Sequence, residues 1–356
     1  MSTSSPDPAP LLVDLVRTPS VSGEEGAVAE RLAGWGRGLG LRTTLDDAGV
    51  RLEAEGSAPG PTLWLASHLD TVPPGEGWGI DPFEGRIEGG VLRGRGASDA
   101  KGCVAAMASA VATVGRPARG RLVAVFTFGE ETARTTMPAA VERLGRPDAA
   151  IVGEPTSLRP CIAQRGLLIL RLRWRGRAAH AGWSSMLAGA AENAIHKAAA
   201  EIARVAALRF GREHDVLGFT SLNVTRLSAG TASNVVPDLC EATLDVRTTP
   251  AYSPDEIVER VRAEVSGEVE VVSRRFLPCE TPEGSRLLPL VLDAAPDAAP
   301  FVSPTASDWV FLRDVDAVKL GPGDSTLSHT VDEQISLDEV VRARDLYAAI
   351  AARYLA

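Results

Sequence analysis

The sequence contains few histidines, few aromatic residues and few cysteines. Five histidines and 5% aromatic residues occur among 356 residues, and the four cysteines are scattered without a CxxC pair. A disulfide framework or a zinc site built on paired cysteines is therefore not expected. Positive charge is also scarce, because 37 Lys and Arg face 46 Asp and Glu, giving a formal net charge of −9. A negative surface repels phosphate backbones and anionic lipids, so we expect neither nucleic acid nor a membrane as a partner.

Long apolar runs and a secretion signal are missing as well. No stretch approaches the length needed to span a bilayer, and the first ten residues lack a basic segment followed by an apolar one. We therefore expect a cytoplasmic protein. The balance of 45% hydrophobic and 23% charged residues is typical of globular proteins, and 356 residues can form one large domain and one smaller domain.

Apolar strands alternate with helices in the first part of the chain. Continuous apolar runs at 62–66, 121–128 and 149–152 predict buried strands, and the segments between them have helical character. This alternation predicts an α/β fold with a mostly parallel sheet and helices on both faces. Near the N-terminus, Ser22 and Glu25 have the spacing of a capping box at the start of a helix.

The pattern changes near residue 164. A strand, a helix, two strands, a helix and a strand follow one another up to residue 273, which is the split βαβ order of a small ferredoxin-like α+β domain. The α/β pattern then resumes. We therefore predict one domain formed by 1–163 and 274–356, with 164–273 inserted as a second domain.

Histidine and acidic residues follow the predicted strands. His68 ends one strand with Asp70 two positions on, while Glu130, Glu131 and Glu154 follow two other strands. In open α/β sheets, ligands bind at the carboxyl ends of the strands. His68 alone is a weak signal, because a histidine followed by an aspartate two residues later also occurs without a metal.

Two further candidates lie in or after glycine-rich segments. Asp99 lies within 94–102, where it could instead cap the following helix, and His329 follows the segment 321–324. The adjacent carboxylates Glu130 and Glu131 are costly at a half-buried sheet edge unless a cation or hydrogen bonds compensate them. Imidazole combined with carboxylate suits zinc, cobalt or manganese better than calcium or copper. The sequence therefore predicts a metal site at one sheet edge.

Eight sequence blocks resemble those of the M20 family of co-catalytic zinc peptidases and deacylases. They occur in the family's order, at 67–73, 94–102, 129–131, 153–155, 177–180, 234–238, 245–247 and 321–333. The resemblance implies an α/β zinc-hydrolase catalytic domain, with 164–273 as a lid and dimerisation domain. It also implies a homodimer and two Zn²⁺ or Co²⁺ ions per subunit.

The resemblance implies five metal ligands. His68 would bind one ion together with Glu154, and His329 would bind the other together with Glu131. Asp99 would bridge the two ions, and the peptide bond after it would be cis.

The resemblance also implies catalytic roles for three residues. Glu130 would be the general base, Asp70 would orient His68, and His180 would reach into the partner subunit's site to stabilise an oxyanion. For His180 the alternative is an ordinary surface histidine on a loop.

Four positions are implied to bind substrate. Asn234 and Arg247 match positions that hold a substrate carboxylate; for Arg247 the alternative is a surface charge on a strand. Ser307 lies in a segment that resembles the pocket loop of desuccinylases, and Gly323 lies in a segment that resembles acetylcitrulline deacetylases.

The family resemblance favours hydrolysis of an N-acyl amino acid. The first choice is N-acetylornithine or N-acetylcitrulline deacetylation in arginine biosynthesis. The alternatives are a succinyl-diaminopimelate desuccinylase, a lysine-biosynthesis hydrolase acting on carrier conjugates, or an M20 dipeptidase. A binding protein that kept the fold and lost the chemistry is a more remote alternative.

Overall fold

The computed structural model describes residues 5–132, 134–183 and 191–356. The chain divides into two units. The first consists of Met1–Ala163, Glu280–Phe301 and Ser307–Ala356, and the second of Gln164–Cys279 and Val302–Ala306. The domain boundaries expected from the sequence, with 164–273 inserted between 1–163 and 274–356, stay a prediction.

The described residues form eight α-helices, of which α5 and α6 lie in the second unit. They are α1 (Pro8–Val16), α2 (Gly26–Gly38), α3 (Gly102–Val114), α4 (Met137–Leu144), α5 (Ala194–Ala207), α6 (Pro254–Glu264), α7 (Leu287–Ala294) and α8 (Leu337–Tyr354). A kinked helical turn, Ala97–Lys101, precedes α3. Among the described residues, no helix combines the length and the apolar character needed to cross a membrane.

The strands are numbered in chain order. The first ten are β1 (Arg42–Asp46), β2 (Gly49–Glu55), β3 (Thr62–His68), β4 (Arg86–Glu88), β5 (Val91–Arg93), β6 (Arg121–Thr127), β7 (Ala149–Val152), β8 (Cys161–Gln164), β9 (Gly166–Arg175) and β10 (Ala179–His180). The others are β11 (Glu213–His214), β12 (Gly218–Phe219), β13 (Ser221–Ala229), β14 (Val235–Val236), β15 (Leu239–Thr248), β16 (Glu268–Phe276), β17 (Cys279–Glu280), β18 (Phe301–Ser303), β19 (Asp316–Lys319) and β20 (Gln334–Ser336).

The large sheet of the first unit is mixed, with parallel strands at its centre. Its order runs β1-β2-β6-β3-β7-β19-β8. Strands β6, β3, β7 and β19 are mutually parallel, whereas β1, β2 and β8 pair antiparallel with their neighbours. The predicted α/β class with a largely parallel sheet is confirmed. Strands β1 and β2 were not among the predicted strands, because their charged segments lack the apolar runs that mark the central ones.

The parallel register brings four strand ends to the same edge of the sheet. His68 on β3 lies opposite Thr127 on β6, and Ala66 lies opposite Val152 on β7. Lys319 on β19 is also paired with Val152. The segments that leave these four strands therefore start side by side, and they carry the acidic candidates identified in the sequence.

Helix α3 lies in the core of the first unit. It is buried without interruption from Gly102 to Val111, and small residues dominate this stretch. Helix α8 packs beside it, and the Tyr347 hydroxyl of α8 donates a hydrogen bond to the Leu320 carbonyl at 2.7 Å. Helix α3 directly follows the turn that carries Asp99, so that turn is attached to the buried core.

The second unit contains a four-stranded antiparallel sheet with the order β13-β15-β9-β16. Its elements follow one another as β9, α5, β13, β15, α6 and β16. This is the split βαβ arrangement of ferredoxin-like domains, as predicted. One face of β9, including Leu170 and Trp174, is buried in a core that also includes Ala198 and Val205 of α5. The helix start predicted near residue 188 falls outside the described residues.

Two glycines that flank β1 allow a matched test of the turn between β1 and β2. Gly49 has a φ of +129°, and an added Cβ would lie 2.0 Å from the Phe126 carbonyl oxygen, whereas Gly40 has a φ of +74° and open space around it. We expect Gly40→Ala to lower the free energy of unfolding by about 1–2 kcal/mol, the usual cost of a left-handed alanine. Gly49→Ala should lower the free energy of unfolding by more, roughly 3 kcal/mol or above, because the backbone at Phe126 must also move to make room for the added Cβ. Urea unfolding measures both, and equal losses would contradict the role of this contact.

Candidate metal centre

Asp70 fixes the turn that follows β6. Its Oδ1 accepts the N–H of Glu130 at 3.0 Å, and its Oδ2 accepts the N–H of Glu131 at 3.1 Å and the Ser22 hydroxyl at 2.7 Å. Burial alone would raise its pKa, but the hydrogen bond and charge of His68, with the Ser22 hydroxyl, lower the pKa of Asp70 to about 2. A fully buried, ionised carboxylate thus holds the two adjacent glutamates in place.

Ser22 and Glu25 do not form the predicted capping box. Glu25 is the N-cap of α2, but no side chain caps that helix end. Instead, Ser22 bonds to Asp70, and the Glu25 carboxylate accepts the N–H of Gly129 at 3.1 Å. The capping-box prediction is wrong because both side chains bind the strand-end turns rather than the helix terminus.

His68 lies between Asp70 and Asp99. Its Nδ1 is 3.0 Å from the Asp70 carbonyl oxygen, and its Nε2 is 3.2 Å from Asp99 Oδ1. Burial lowers the pKa of His68, but its hydrogen bonds to Asp70 and Asp99 outweigh this and raise the pKa well above the ordinary value. A histidine whose Nδ1 is held by a backbone carbonyl presents Nε2 in a fixed direction, which is how metal-ligating imidazoles are oriented.

His329 approaches the same aspartate from the other side. Its Nε2 is 2.9 Å from Glu131 Oε1 and 3.7 Å from Asp99 Oδ2. The hydrogen bond to Glu131 is the main reason that the pKa of His329 is raised. The Asp99 carboxylate therefore lies between two imidazoles, with one oxygen facing each.

These side chains fit a divalent cation. Ligand atoms of His68, Asp99 and Glu131 all lie within 4.8 Å of one another. Burial, followed by the charge of Asp99, raises the pKa of Glu154 to about 8, and burial with the charge of Glu154 raises the pKa of Glu130 well above its usual range. The cluster thus holds more negative charge than its imidazoles balance, and a cation would relieve this. Nitrogen and carboxylate donors suit zinc-class ions.

The sequence model of the Peptidase family M20/M25/M40 matches residues 64–353. This chain belongs to that family. A succinyl-diaminopimelate desuccinylase from Alkalilimnicola ehrlichii is 30% identical, over 95% of this chain and 95% of the relative. The structure of an M20 family metallo-carboxypeptidase from Sulfolobus solfataricus has a TM-score of 0.79 at 19% identity, covering 98% of this chain and 99% of that one.

A second solved structure has the same fold. The Bacillus subtilis YxeP protein, described as a dinuclear metal-binding peptidase of the M20 family, has a TM-score of 0.74 at 17% identity. The match covers 98% of this chain and 97% of the other. Family membership and the candidate site together make this chain an M20 metal-dependent hydrolase, as the sequence predicted.

Two of the substrate-binding candidates lie in the first unit. Gly323 has a φ of +96°, and a Cβ there would lie 2.3 Å from the Ser98 Oγ, so the glycine-rich segment approaches the Asp99 turn closely. Ser307 caps the short 3₁₀ turn Asp308–Leu312 by accepting the Trp309 N–H. Their contacts with substrate stay a prediction.

Two candidates of the second unit lie next to each other. Strand β10 pairs antiparallel with β14, with His180 opposite Val235, and the Ala181 N–H donates to the Asn234 carbonyl at 2.8 Å. The His180 Nδ1 accepts the N–H of Gly182 at 3.1 Å. One ring nitrogen of this exposed histidine is therefore used by its own loop.

Arg247 lies on β15 of the second unit. Its Nε and one Nη donate to the two Asp245 carboxylate oxygens at 2.8 and 3.0 Å, and the other Nη lies 3.4 Å from the Pro304 carbonyl oxygen. Asp245 thus uses two of the donors that a bidentate substrate carboxylate would need.

Three buried charged residues near the Asp99 turn were not among the sequence candidates. Arg95 and Glu333 form an ion pair at 2.5 Å. The Lys101 ammonium donates to two backbone carbonyls at and just after the end of α1, at 2.9 Å each. All three lie within the family-like blocks, but their burial, which makes them informative, is not visible in the sequence.

The site leads to a prediction about metal-dependent stability. We expect Zn²⁺ or Co²⁺ to raise the melting temperature and a chelator to reverse the change, because a ligand at 100 times its dissociation constant stabilises by about 2.7 kcal/mol. Asp99→Asn should lose most of this shift, since it removes the carboxylate shared by both histidines. Asp314→Asn, at an exposed carboxylate, should keep it. Differential scanning calorimetry with and without metal is the measurement, and an unchanged shift in Asp99→Asn would contradict the site.

Proposed function

We propose that this M20 enzyme is a two-metal amidohydrolase that removes the acyl group from an N-acyl amino acid. The observation that carries the proposal is the position of the Asp99 carboxylate, with one oxygen near His68 and the other near His329. A single carboxylate between two imidazoles suits a pair of cations that share a bridging ligand. The pairing of His329 with Glu131 at 2.9 Å supports a second set of ligands beside the first.

The contacts of His68, His329, Glu131 and Asp99 support the ligand roles that the family resemblance implies, and the charges of Asp99 and His68 act on Glu154. His68 and Glu154 would hold one ion, His329 and Glu131 the other, and Asp99 both. Two zinc or cobalt ions bound there would lower the pKa of a water and polarise the scissile carbonyl.

Glu130 is proposed as the general base. Within the described part of the chain, its carboxylate forms no hydrogen bond, whereas Glu131 next to it is paired with His329. Burial and the charge of Glu154 raise the pKa of Glu130 well above its usual range, so this carboxylate favours accepting a proton. It would take a proton from the attacking water and deliver it to the leaving nitrogen. Asp70 would keep His68 oriented meanwhile.

Succinyl-diaminopimelate is the leading substrate candidate. The relative at 30% identity over nearly the full length is a desuccinylase, which favours this alternative over the acetylornithine or acetylcitrulline activity expected first. The segment 305–308, which carries Ser307, also resembles the desuccinylase pocket loop. Deacetylation of N-acetylornithine or N-acetylcitrulline remains the second candidate, on the resemblance of segments such as 321–324.

The second unit is proposed to complete the enzyme as a lid and dimerisation domain. His180 would stabilise the oxyanion in the partner subunit's site, and Asn234 and Arg247 would hold a substrate carboxylate. To bind a substrate carboxylate, Arg247 would need a guanidinium N–H that does not already donate to Asp245. Ser307 and Gly323 would contact substrate from the first unit. A cytoplasmic homodimer is the corresponding expectation for the whole protein.

Replacing the proposed base separates chemistry from metal binding. We expect Glu130→Gln to keep about two metal ions per chain and to lose turnover by roughly 10²–10⁴-fold, the usual contribution of a general base. Glu142→Gln, at an exposed glutamate of α4, is the matched control and should have wild-type turnover. Metal content by elemental analysis and kcat measured on the same samples test this. A near-normal kcat in Glu130→Gln would exclude it as the base.

A substrate panel tests the proposed activity. N-succinyl-diaminopimelate, N-acetylornithine, N-acetylcitrulline and small dipeptides would be compared by kcat/KM with zinc or cobalt supplied. We expect the succinyl substrate to have the highest value. A higher value for an acetyl substrate would select the second candidate, and a preference for a dipeptide would contradict the N-acyl amino acid class. If the protein showed no turnover of any substrate and took up no metal, a binding protein of the same fold would be favoured.

A further inference from the structure

The turn that carries Asp99 departs from helical geometry. Asp99 has φ −118° and ψ 94° within the helical turn 97–101, and the next residue, Ala100, has φ −128° and ψ 28°. At the start of a helical turn, backbone N–H groups have no partner within the turn. Left unpaired in a buried position, such donors are costly. The N–H groups of Ser98 and Asp99 therefore need an acceptor from elsewhere in the chain.

Glu333 supplies that acceptor. Its Oε1 accepts the N–H of Ser98 at 3.1 Å and the N–H of Asp99 at 3.0 Å. Its side chain is 1% exposed, so these bonds are not shared with solvent. One of these N–H groups belongs to Asp99, whose carboxylate lies between the two histidines, and the other belongs to the residue before it.

Arg95 holds the other oxygen of Glu333. Its Nη1 lies 2.5 Å from Glu333 Oε2, its Nη2 donates to the Pro74 carbonyl at 3.1 Å, and its guanidinium lies 5.3 Å from the centre of the Trp78 ring. The charge of a buried glutamate is tolerated when it is paired in this way. The Glu333 carboxylate is thus fixed at both oxygens.

The same residue connects two candidate ligand segments. Glu333 lies four positions after His329, and its carbonyl accepts the Gly94 N–H at 3.1 Å. Immediately after it, β20 pairs antiparallel with β5, with Gln334 opposite Arg93. The segment that carries His329 and the segment that leads to Asp99 are therefore joined by both backbone and side chain at Glu333.

We propose that Glu333 is a positioning residue that sets the place of the Asp99 carboxylate between His68 and His329. It touches neither imidazole and acts through the backbone of Asp99. Metal–ligand distances tolerate only a few tenths of an ångström, so a shift of this backbone would weaken binding at both histidines. Groups that orient a metal ligand typically change metal affinity by about 10–100-fold when removed. This inference depends on the proposed metal-binding role of Asp99.

The test uses two substitutions of Glu333 and a matched control. Glu333→Gln keeps an acceptor but loses the charge that pairs with Arg95, and Glu333→Asp keeps the charge but withdraws it from the turn. Glu53→Gln is the control, because Glu53 is also buried and accepts a hydrogen bond from an arginine, Arg121, at 2.9 Å, but on β2. Zn²⁺ affinity would be measured by competition with a chromogenic chelator, alongside the urea midpoint of each metal-free protein and the visible spectrum of the Co²⁺ forms.

We expect both Glu333 variants to lose Zn²⁺ affinity by about 10–100-fold and to change the Co²⁺ spectrum. Glu53→Gln should keep the wild-type Zn²⁺ affinity and Co²⁺ spectrum, even if its urea midpoint falls as far as those of the Glu333 variants. Glu333→Asp guards against a failure of Glu333→Gln to fold, because it retains the ion pair. Affinities within threefold of wild type would overturn the inference, and so would equal losses in Glu53→Gln. If the wild-type protein bound no Zn²⁺ or Co²⁺, the proposed metal site itself would be wrong. If the wild-type protein bound metal and the Glu333 variants bound it equally well, only the positioning role of Glu333 would be wrong.

Discussion

Carboxylates crowd one edge of the central sheet, and the repulsion between them must be balanced for the chain to fold with this site buried. Burial and the charge of Glu154 raise the pKa of Glu130, and burial and the charge of Asp99 raise the pKa of Glu154. Asp99 and Glu131 both lie near His329. Buried like charges destabilise a fold unless cations, imidazoles or hydrogen bonds compensate them. The imidazoles of His68 and His329 provide part of this compensation through their contacts with Asp99 and Glu131.

Two further buried carboxylates hold the turns that carry the cluster. Asp70 accepts the backbone N–H groups of Glu130 and Glu131, and Glu333 accepts those of Ser98 and Asp99. In both cases a buried carboxylate side chain fixes the backbone of a turn, so that the neighbouring side chains point into the cluster. Side-chain hydrogen bonds thereby order the loops at the carboxyl ends of parallel strands, which is where functional groups commonly lie.

Fold and substrate are supported by different kinds of observation in this M20 protein. The fold follows from the sheet topology, the match of the family across 64–353 and the similarity to solved structures at 19% identity or below. The choice between succinyl and acetyl substrates depends on the side chains around the acyl group, which a shared fold leaves open. The relative at 30% identity is a desuccinylase, and turnover of defined substrates decides which acyl group this chain removes.

The class of fold, the central strands and the chemistry of the site can be read from the sequence. Buried strands such as 121–128 and 149–152 are apolar over their whole length, and the residues after them are acidic, so both strand and site can be read locally. Imidazole and carboxylate side chains likewise indicate the class of metal from their chemistry. Strands β1 and β2 could not be read in this way, because their charged segments become buried only through pairing with β6.

Which distant groups meet depends on how the chain folds. Ser22 and Glu25 have the spacing of a helix cap, but a bond to Asp70 and a bond from Gly129 compete for them and prevail. Arg95 and Glu333 are 238 positions apart, so their ion pair exists only because β20 pairs with β5. Local sequence fixes what a side chain can do, whereas burial and long-range pairing decide which partner it finds, because both depend on segments that come together only in the folded chain.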